Sequence, residues 1–106
     1  MSNKAIDLTD ATFAATAASG VTLVDFWAPW CGPCRTQGPI VDKVAEKVEG
    51  RPKVAKINVD ESRQIAAQYG IRSIPTIIVF KDGEPLHQFV GVQSEAELLS
   101  AIEGAI

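Results

Sequence analysis

Short apolar segments separated by polar turns predict a single α/β domain. Lys4 to Leu8 is predicted to form a short strand, and Thr9 is predicted to cap a helix that buries Phe13 and stops at Gly20. The next segment, Val21 to Ala28, is apolar on both faces of an extended chain. Such a pattern is typical of a central strand that is covered on both sides.

The longest predicted helix runs from Gly32 to Val48, where apolar residues recur at helical spacing, and Gly50 supplies its stop. Pro39 lies inside this helix and follows Gly38. Because proline removes a backbone donor and clashes with the preceding turn, a kink is predicted at this dipeptide.

Two further helices are predicted from their capping residues. After a strand from Lys53 to Val59, Asp60 is predicted to cap a short helix that ends at Gly70. Near the C-terminus, Ser94 and Glu97 form a capping box ahead of an amphipathic segment. The chain is therefore expected to end in a helix.

The segment between these helices predicts a hairpin of two strands, Thr76 to Lys81 and Pro85 to Val90. They are joined through Asp82-Gly83, a dipeptide typical of tight turns. Helical crossovers make the first three strands parallel, whereas the hairpin makes the last two antiparallel. One mixed sheet with helices on both faces is expected.

Length and charge indicate which classes of partner the chain is not expected to bind. The chain has 106 residues, the length of one compact domain, and a net charge of −3 without a cluster of lysine or arginine. Binding to nucleic acid or to an anionic membrane surface is therefore not expected. The longest nearly apolar stretch, Val21 to Trp30, is half the length of a membrane helix and contains Asp25. Since Asp7 and Asp10 interrupt any secretory signal, a cytoplasmic protein is expected.

The only cysteines, Cys31 and Cys34, flank Gly32-Pro33 where the central strand leads into the long helix. Structural disulfides are uncommon in the cytosol, so the pair indicates chemistry or metal binding. A helix N-terminus favours a thiolate, which predicts that Cys31 is the acidic, exposed thiol and Cys34 the more buried one. The predicted reaction is thiol–disulfide exchange, with Cys31 attacking a partner disulfide and Cys34 resolving the mixed disulfide.

Two alternatives give the cysteines no redox role. A zinc site needs four ligands, and apart from this pair the chain offers only His87 as a further cysteine or histidine, so metal binding requires a second chain. Two inert buried thiols are the other alternative. A glycine and a proline at a strand-to-helix junction are a poor setting for burial, and redox chemistry without a metal is favoured.

Several segments around and beyond the cysteines follow the pattern of a known family. They are Leu23 to Cys34, Val54 to Asp60, Tyr69 to Thr76 and Phe80 to Gly83. In this order they resemble the thioredoxin family over nearly the whole chain. The resemblance implies one thioredoxin domain over residues 1–106, with a central five-stranded mixed β-sheet flanked by four α-helices.

The resemblance also implies an activity and its partners. The chain is expected to be a monomeric protein-disulfide reductase that needs no cofactor, acts on disulfide-containing client proteins and is recharged by a thioredoxin reductase. Oxidising relatives typically place a histidine between the cysteines, whereas Gly32-Pro33 resembles the reducing members. An oxidase or isomerase, and a docking module with dispensable cysteines, are the alternative functions.

Two charged residues are implied in proton transfer. Asp25 interrupts an apolar strand, and burial of a carboxylate predicts a raised pKa. By resemblance, Asp25 lies beneath Cys34 and helps to move the proton of that thiol, and Lys56 on the neighbouring strand is its partner. The alternative is a buried polar group with a structural role alone.

The resemblance further implies a cis peptide bond before Pro75, which packs against the disulfide, and a free backbone at Ile74 that pairs with an extended substrate. A trans proline at a strand edge is the alternative. An apolar docking patch is implied as well, whereas Trp27 is expected in the core and His87 on the surface. The residues expected to contact substrate are Trp30, Gly32, Pro33, Ile74, Pro75, Val90, Gly91 and Val92.

The chain departs from the family pattern at Thr36, Gln37 and Gly38, where bulkier apolar residues and alanine are common. Glycine inside a helix costs about 1 kcal/mol relative to alanine, so Gly38 is expected to alter the predicted kink. Gln37 is expected to make the area near the cysteines more polar. Both changes bear on partner range and stability.

Overall fold

A computed structural model describes residues 5–106, so Lys4 of the predicted first strand lies outside the described residues. The strands and helices follow the predicted order. They are β1 (Ile6–Leu8), α1 (Phe13–Ala17), β2 (Val21–Trp27), α2 (Gly32–Lys47), β3 (Lys53–Asn58), α3 (Arg63–Gln68), β4 (Thr76–Lys81), β5 (Glu84–Val90) and α4 (Glu95–Ala105).

The strands form one mixed sheet in the order β1-β3-β2-β4-β5. Strand β3 pairs in parallel with both β1 and β2, whereas β4 pairs antiparallel with β2 and with β5. The predicted mixture of parallel and antiparallel strands is therefore confirmed. The antiparallel pairing of β4 places the start of that strand beside the end of β2, where the cysteines follow.

Strand β2 is buried on both faces, as predicted. Val24 and Phe26 belong to one apolar cluster with Phe13 of α1 and Ile65 of α3. Leu23 and Val21 belong to a second cluster, which includes buried side chains of α2 and α4. Helices α1 and α3 thus cover one face of the sheet, and α2 and α4 cover the other.

Helix α2 begins directly after Cys31 and contains Pro39, as predicted. Pro33 lies in its first turn, where no helical hydrogen bond is lost. The helix ends at Lys47, one residue before the predicted end, and Gly50 has a φ of +85° in the following turn. The kink at Gly38-Pro39 stays a prediction.

The predicted cap of α1 is wrong. The helix begins at Phe13, so Thr12 rather than Thr9 is the residue before it, and the side chain of Thr12 makes no capping bond to the helix. Instead, the Phe13 backbone N–H donates to the Thr9 carbonyl oxygen at 3.0 Å. A turn from Thr9 to Thr12 therefore precedes the helix and delays its start.

The predicted cap of α3 is also wrong. Ser62, not Asp60, precedes the helix, and its side chain makes no capping bond. The Asp10 carboxylate caps the helix from a distant part of the chain, accepting from the N–H groups of Ile65 at 2.9 Å and Gln64 at 3.3 Å. An acidic side chain here also complements the positive end of the helix dipole.

Both local signals in the C-terminal half are confirmed. Asp82 and Gly83 have φ values of 51° and 85°, as a tight hairpin of this type requires, and they join β4 to β5. Ser94 and Glu97 form the predicted capping box at the start of α4. The hydrogen bonds from Ser94 lower the pKa of Glu97.

Candidate active site

The cysteines lie at the N-terminus of α2 and are joined by a disulfide, with their Cα atoms 5.3 Å apart. Cys31 occupies the N-cap position with an extended backbone, and its Sγ accepts from the Cys34 backbone N–H at 3.2 Å. The sulfur takes the place of the oxygen that usually caps a helix. Negative charge on this sulfur is therefore stabilised by the N–H group and by the helix dipole.

The predicted contrast in exposure between the cysteines is wrong for the disulfide form. Cys31 is 4% exposed and Cys34 is 5% exposed. The bond holds both sulfurs within one turn, and the Ile74 carbonyl oxygen lies 3.7 Å from Cys31 Sγ. The segment before β4 thus shields the sulfur that was expected to be open to solvent.

The peptide bond between Ile74 and Pro75 is cis, which confirms the conformation implied by the family resemblance. Pro75 is buried, whereas Ile74 is partly exposed beside the disulfide. The Gly91 backbone N–H donates to the Pro75 carbonyl oxygen at 2.9 Å. This bond joins the segment before β4 to the segment after β5.

Three apolar side chains that were predicted to contact substrate are exposed. Trp30 is 68% exposed, Val90 61% and Val92 43%. Trp30 is also fixed in place, because its Nε1 donates to the Asp60 carboxylate at 2.9 Å. Sequence reasoning missed this bond and assigned Asp60 to a helix cap.

Two predicted contact residues, Gly32 and Pro33, lie between the cysteines, and Trp27 and His87 were expected outside the site. Gly32 and Pro33 are exposed in the first turn of α2, between the two cysteines. The expectation of a core position for Trp27 needs a correction, because this side chain is only half-buried and lines a pocket together with Cys34. His87 is exposed on the edge strand β5, as expected.

Asp25 and Cys34 line the same pocket, whose volume is about 260 Å³. Asp25 is fully buried, and neither of its carboxyl oxygens has a hydrogen-bond partner among the described residues. Burial raises the pKa of Asp25 to about 7, although the positive charge of Lys56 lowers it and the negative charge of Asp42 raises it. The predicted burial and raised pKa are both present.

Lys56 is a neighbour of Asp25, but no hydrogen bond joins the two side chains. The two residues are neighbours across β2 and β3, but the Lys56 ammonium group donates to the Asp42 carboxylate at 3.1 Å. Lys56 therefore acts on Asp25 through its charge rather than through a hydrogen bond. Sequence reasoning missed Asp42, although its helical spacing from Cys34 and Gly38 places all three on one face of α2.

Gly38 lines this pocket as well, and its position explains why a small residue suits it. A Cβ added at Gly38 would lie 3.7 Å from Lys56 Nζ, an ordinary van der Waals contact. Alanine would therefore fit the pocket without displacing the lysine.

The expectation for Gln37 is wrong. The side chain is fully buried and adds nothing to the polarity of the surface. Its Oε1 accepts from the Gln93 backbone N–H at 2.7 Å, and its Nε2 donates to the Gln93 carbonyl oxygen at 3.1 Å. The buried amide is thus satisfied at both ends.

Among residues 5–106, no cluster of three or more His, Cys, Asp or Glu side chains is arranged to hold a metal ion. None of the helices in this range has both the length and the apolar character needed to cross a membrane.

Known proteins are similar to this chain over nearly its whole length. The thioredoxin family profile matches residues 4–104. Thioredoxin 1 of Nostoc sp. is 48% identical over 101 residues, which cover 93% of this chain and 94% of that protein. Thioredoxin of Staphylococcus aureus is 45% identical over 98 residues, covering 92% and 94%.

A solved structure gives the same result in three dimensions. A mutant thioredoxin from Halobacterium salinarum superimposes with a TM-score of 0.89 at 36% identity, covering 98% of this chain and 92% of that one. With its five-stranded mixed sheet, its four helices and the Cys31–Cys34 disulfide at the start of α2, the chain belongs to the thioredoxin family of protein-disulfide oxidoreductases, which act by thiol–disulfide exchange.

Proposed function

We propose that this protein reduces disulfides in client proteins, with Cys31 as the nucleophile and Cys34 as the resolving thiol. The observation that carries the proposal is the hydrogen bond from the Cys34 N–H to Cys31 Sγ at a helix N-terminus. This environment lowers the free energy of a thiolate on Cys31 relative to an ordinary thiol.

The reaction proceeds in two exchanges. The Cys31 thiolate attacks one sulfur of the client disulfide, so that a mixed disulfide forms and the other client sulfur leaves as a thiolate. Cys34 then loses its proton and attacks Cys31 Sγ, which releases the second client thiolate. The client has gained two electrons, and the protein ends with the Cys31–Cys34 disulfide.

Asp25 is the proposed acceptor for the Cys34 proton, directly or through water. Both residues line the same pocket, and burial raises the pKa of Asp25 to about 7. A group that titrates near the working pH can accept a proton in one step and release it in the next. Lys56 is proposed to assist by stabilising the ionised carboxylate, while Asp42 holds the lysine in place.

Client docking is assigned to the exposed residues around the disulfide. Ile74 is proposed to offer its backbone to an extended client segment beside Pro75, in the manner of an added strand. The apolar side chains of Trp30, Val90 and Val92 supply contact area that does not depend on charge. Gly32, Pro33 and Gly91 allow close approach of the client chain.

The proposed role favours a location in the cytoplasm. A protein that donates electrons to disulfides suits the cytoplasm, where thiols are kept reduced. There a thioredoxin reductase is the proposed source of the two electrons that reopen the Cys31–Cys34 disulfide. The protein is proposed to act as a monomer, with its apolar patch free for clients.

The proposal is tested by the reduction of insulin disulfides, driven by dithiothreitol or by a thioredoxin reductase. The wild-type protein is expected to accelerate the reaction, and Cys31→Ser is expected to abolish the acceleration because the attacking sulfur is gone. Urea unfolding of both proteins controls for loss of fold. Equal activity of the two proteins would overturn the assignment of Cys31.

A further inference from the structure

The segment between β5 and α4 is held by hydrogen bonds at Gly91 and at Gln93. The Gly91 N–H donates to the Pro75 carbonyl oxygen at 2.9 Å. The Gln93 side-chain Nε2 donates to the Gly91 carbonyl oxygen at 3.3 Å. The Gln93 backbone N–H donates to Gln37 Oε1, and the Gln93 carbonyl oxygen accepts from Gln37 Nε2. Between the two anchored residues, Val92 presents its side chain to solvent at 43% exposure.

The side-chain amide of Gln37 bonds both the backbone N–H and the backbone carbonyl oxygen of Gln93. In a β-sheet, a residue of a neighbouring strand would make these two bonds. Gln37 is fully buried, and a buried amide without partners is costly. The same reasoning applies to the backbone groups of Gln93, which would lose their partners if an apolar side chain replaced the glutamine. The Gln37 side chain therefore holds the Gln93 backbone in place.

Gln37 also connects this segment to the cysteines. It lies one helical turn after Cys34 on α2, so the two side chains share a face of the helix. Because Gln37 is bonded to Gln93, helix α2 holds the neighbouring residues Gly91 and Val92 at a fixed distance from the disulfide. Gly91 is bonded to Pro75, and the residue before that proline, Ile74, has its carbonyl oxygen 3.7 Å from Cys31 Sγ.

We propose that Gln37 is a positioning residue for client recognition. It holds residues 91–93 at a fixed distance from the disulfide, so that an extended client segment is bound on both sides of the client sulfur that Cys31 attacks. This inference rests on the proposed function. A client that spans both sides of the disulfide depends on the segment, whereas a small aromatic disulfide reaches only the sulfur. Gln37 is therefore expected to favour protein clients over small disulfides.

The test compares Gln37→Leu with the wild-type protein on two substrates, insulin and a small aromatic disulfide. The ratio of kcat/KM for insulin to the rate constant for the small disulfide is expected to fall by about fivefold, because the docking segment must be ordered anew on binding. The loss is expected in KM rather than in kcat. Gln64→Leu makes the same change at an exposed position on α3 and is expected to keep the wild-type ratio.

Amide hydrogen exchange supplies the structural readout. In the variant, the Gln93 amide is expected to exchange faster, since its acceptor is gone. Faster exchange with an unchanged substrate ratio would overturn the proposal and leave Gln37 with a purely structural role. Gln37→Met fills a similar volume with a flexible side chain and replaces the leucine variant should that one fail to fold.

Failure of this inference is distinct from failure of the proposed function. If the wild-type protein reduces insulin and both Gln37 variants keep its substrate ratio, only the positioning role is lost. If Cys31→Ser reduces insulin as well as the wild-type protein does, the proposed reductase chemistry fails, and the positioning role fails with it.

Discussion

Asp25 shows how one residue links catalysis to stability. Burial raises its pKa from 3.8 to about 7, the nearby Lys56 lowers it, and Asp42 raises it. Between these two values the folded protein holds a proton that the unfolded chain has released. The free energy of unfolding therefore falls as the pH rises from about 4 to about 7, and above that range the full cost of a buried charge is present.

Asp25→Asn is expected to remove this dependence. The wild-type protein should lose up to about 4 kcal/mol in the free energy of unfolding as the pH rises from 4 to 8, because it must bury the charge of Asp25. The variant should not show this loss, because its side chain stays neutral. Urea unfolding of the oxidised proteins across this range measures the difference. A constant offset between the two proteins at every pH would contradict the shifted pKa.

The same variant tests the proposed proton transfer. Without a carboxylate to accept the Cys34 proton, the rate of insulin reduction should lose its titration near pH 7, and the rate near neutral pH should fall. Glu103→Gln makes the same chemical change at an exposed position on α4 and serves as the control. A pH profile that Asp25→Asn leaves unaltered would remove Asp25 from the reaction.

At the scale of helices and strands, the sequence predicted those features whose signals lie within a few residues of each other. The hairpin turn at Asp82-Gly83 and the capping box of Ser94 and Glu97 are confirmed. Each depends on local backbone geometry and on a side chain that reaches at most three residues along the chain. The order of the elements followed from these signals and from the apolar pattern.

Three contacts between residues far apart in sequence were not predicted. Asp10 accepts from Ile65 in the first turn of α3, 55 residues later in the sequence, and no local pattern predicts this contact. The partner of Lys56 was missed for a similar reason, because Asp42 became a neighbour only through the packing of α2 on β3. The burial of Gln37 was not predicted either, since its partner Gln93 is 56 residues away.

The distant cap gives a prediction for the stability of α3. Asp10→Ala is expected to lower the free energy of unfolding by about 1–2 kcal/mol, because two N–H groups at the start of the helix lose their acceptor. Urea unfolding measures the change. Glu61→Ala removes an exposed carboxylate from the turn before the same helix and should alter stability by less. Equal losses would contradict the capping role of Asp10.

At the scale of the whole molecule, the order of the strands assembles the site. Because β4 runs antiparallel to β2, Thr76 pairs with Phe26 near the end of β2 and with Val90 at the end of β5. The segments after β2, before β4 and after β5 therefore meet at one edge of the sheet. Resemblance identified the residues of these segments, but only the sheet pairing explains why residues from three distant segments share one surface.

This arrangement predicts a stable covalent complex between Cys34→Ser and a client. The Cys31 thiolate can still attack the client disulfide, but without a second sulfur in the first turn of α2 nothing resolves the product. Mixing the reduced variant with oxidised insulin should yield a species that persists under non-reducing electrophoresis, has the mass of both partners and dissociates in dithiothreitol. The double variant Cys31→Ser, Cys34→Ser should form none. Rapid turnover by Cys34→Ser with no trapped species would mean that the resolving thiol lies elsewhere, on the client itself.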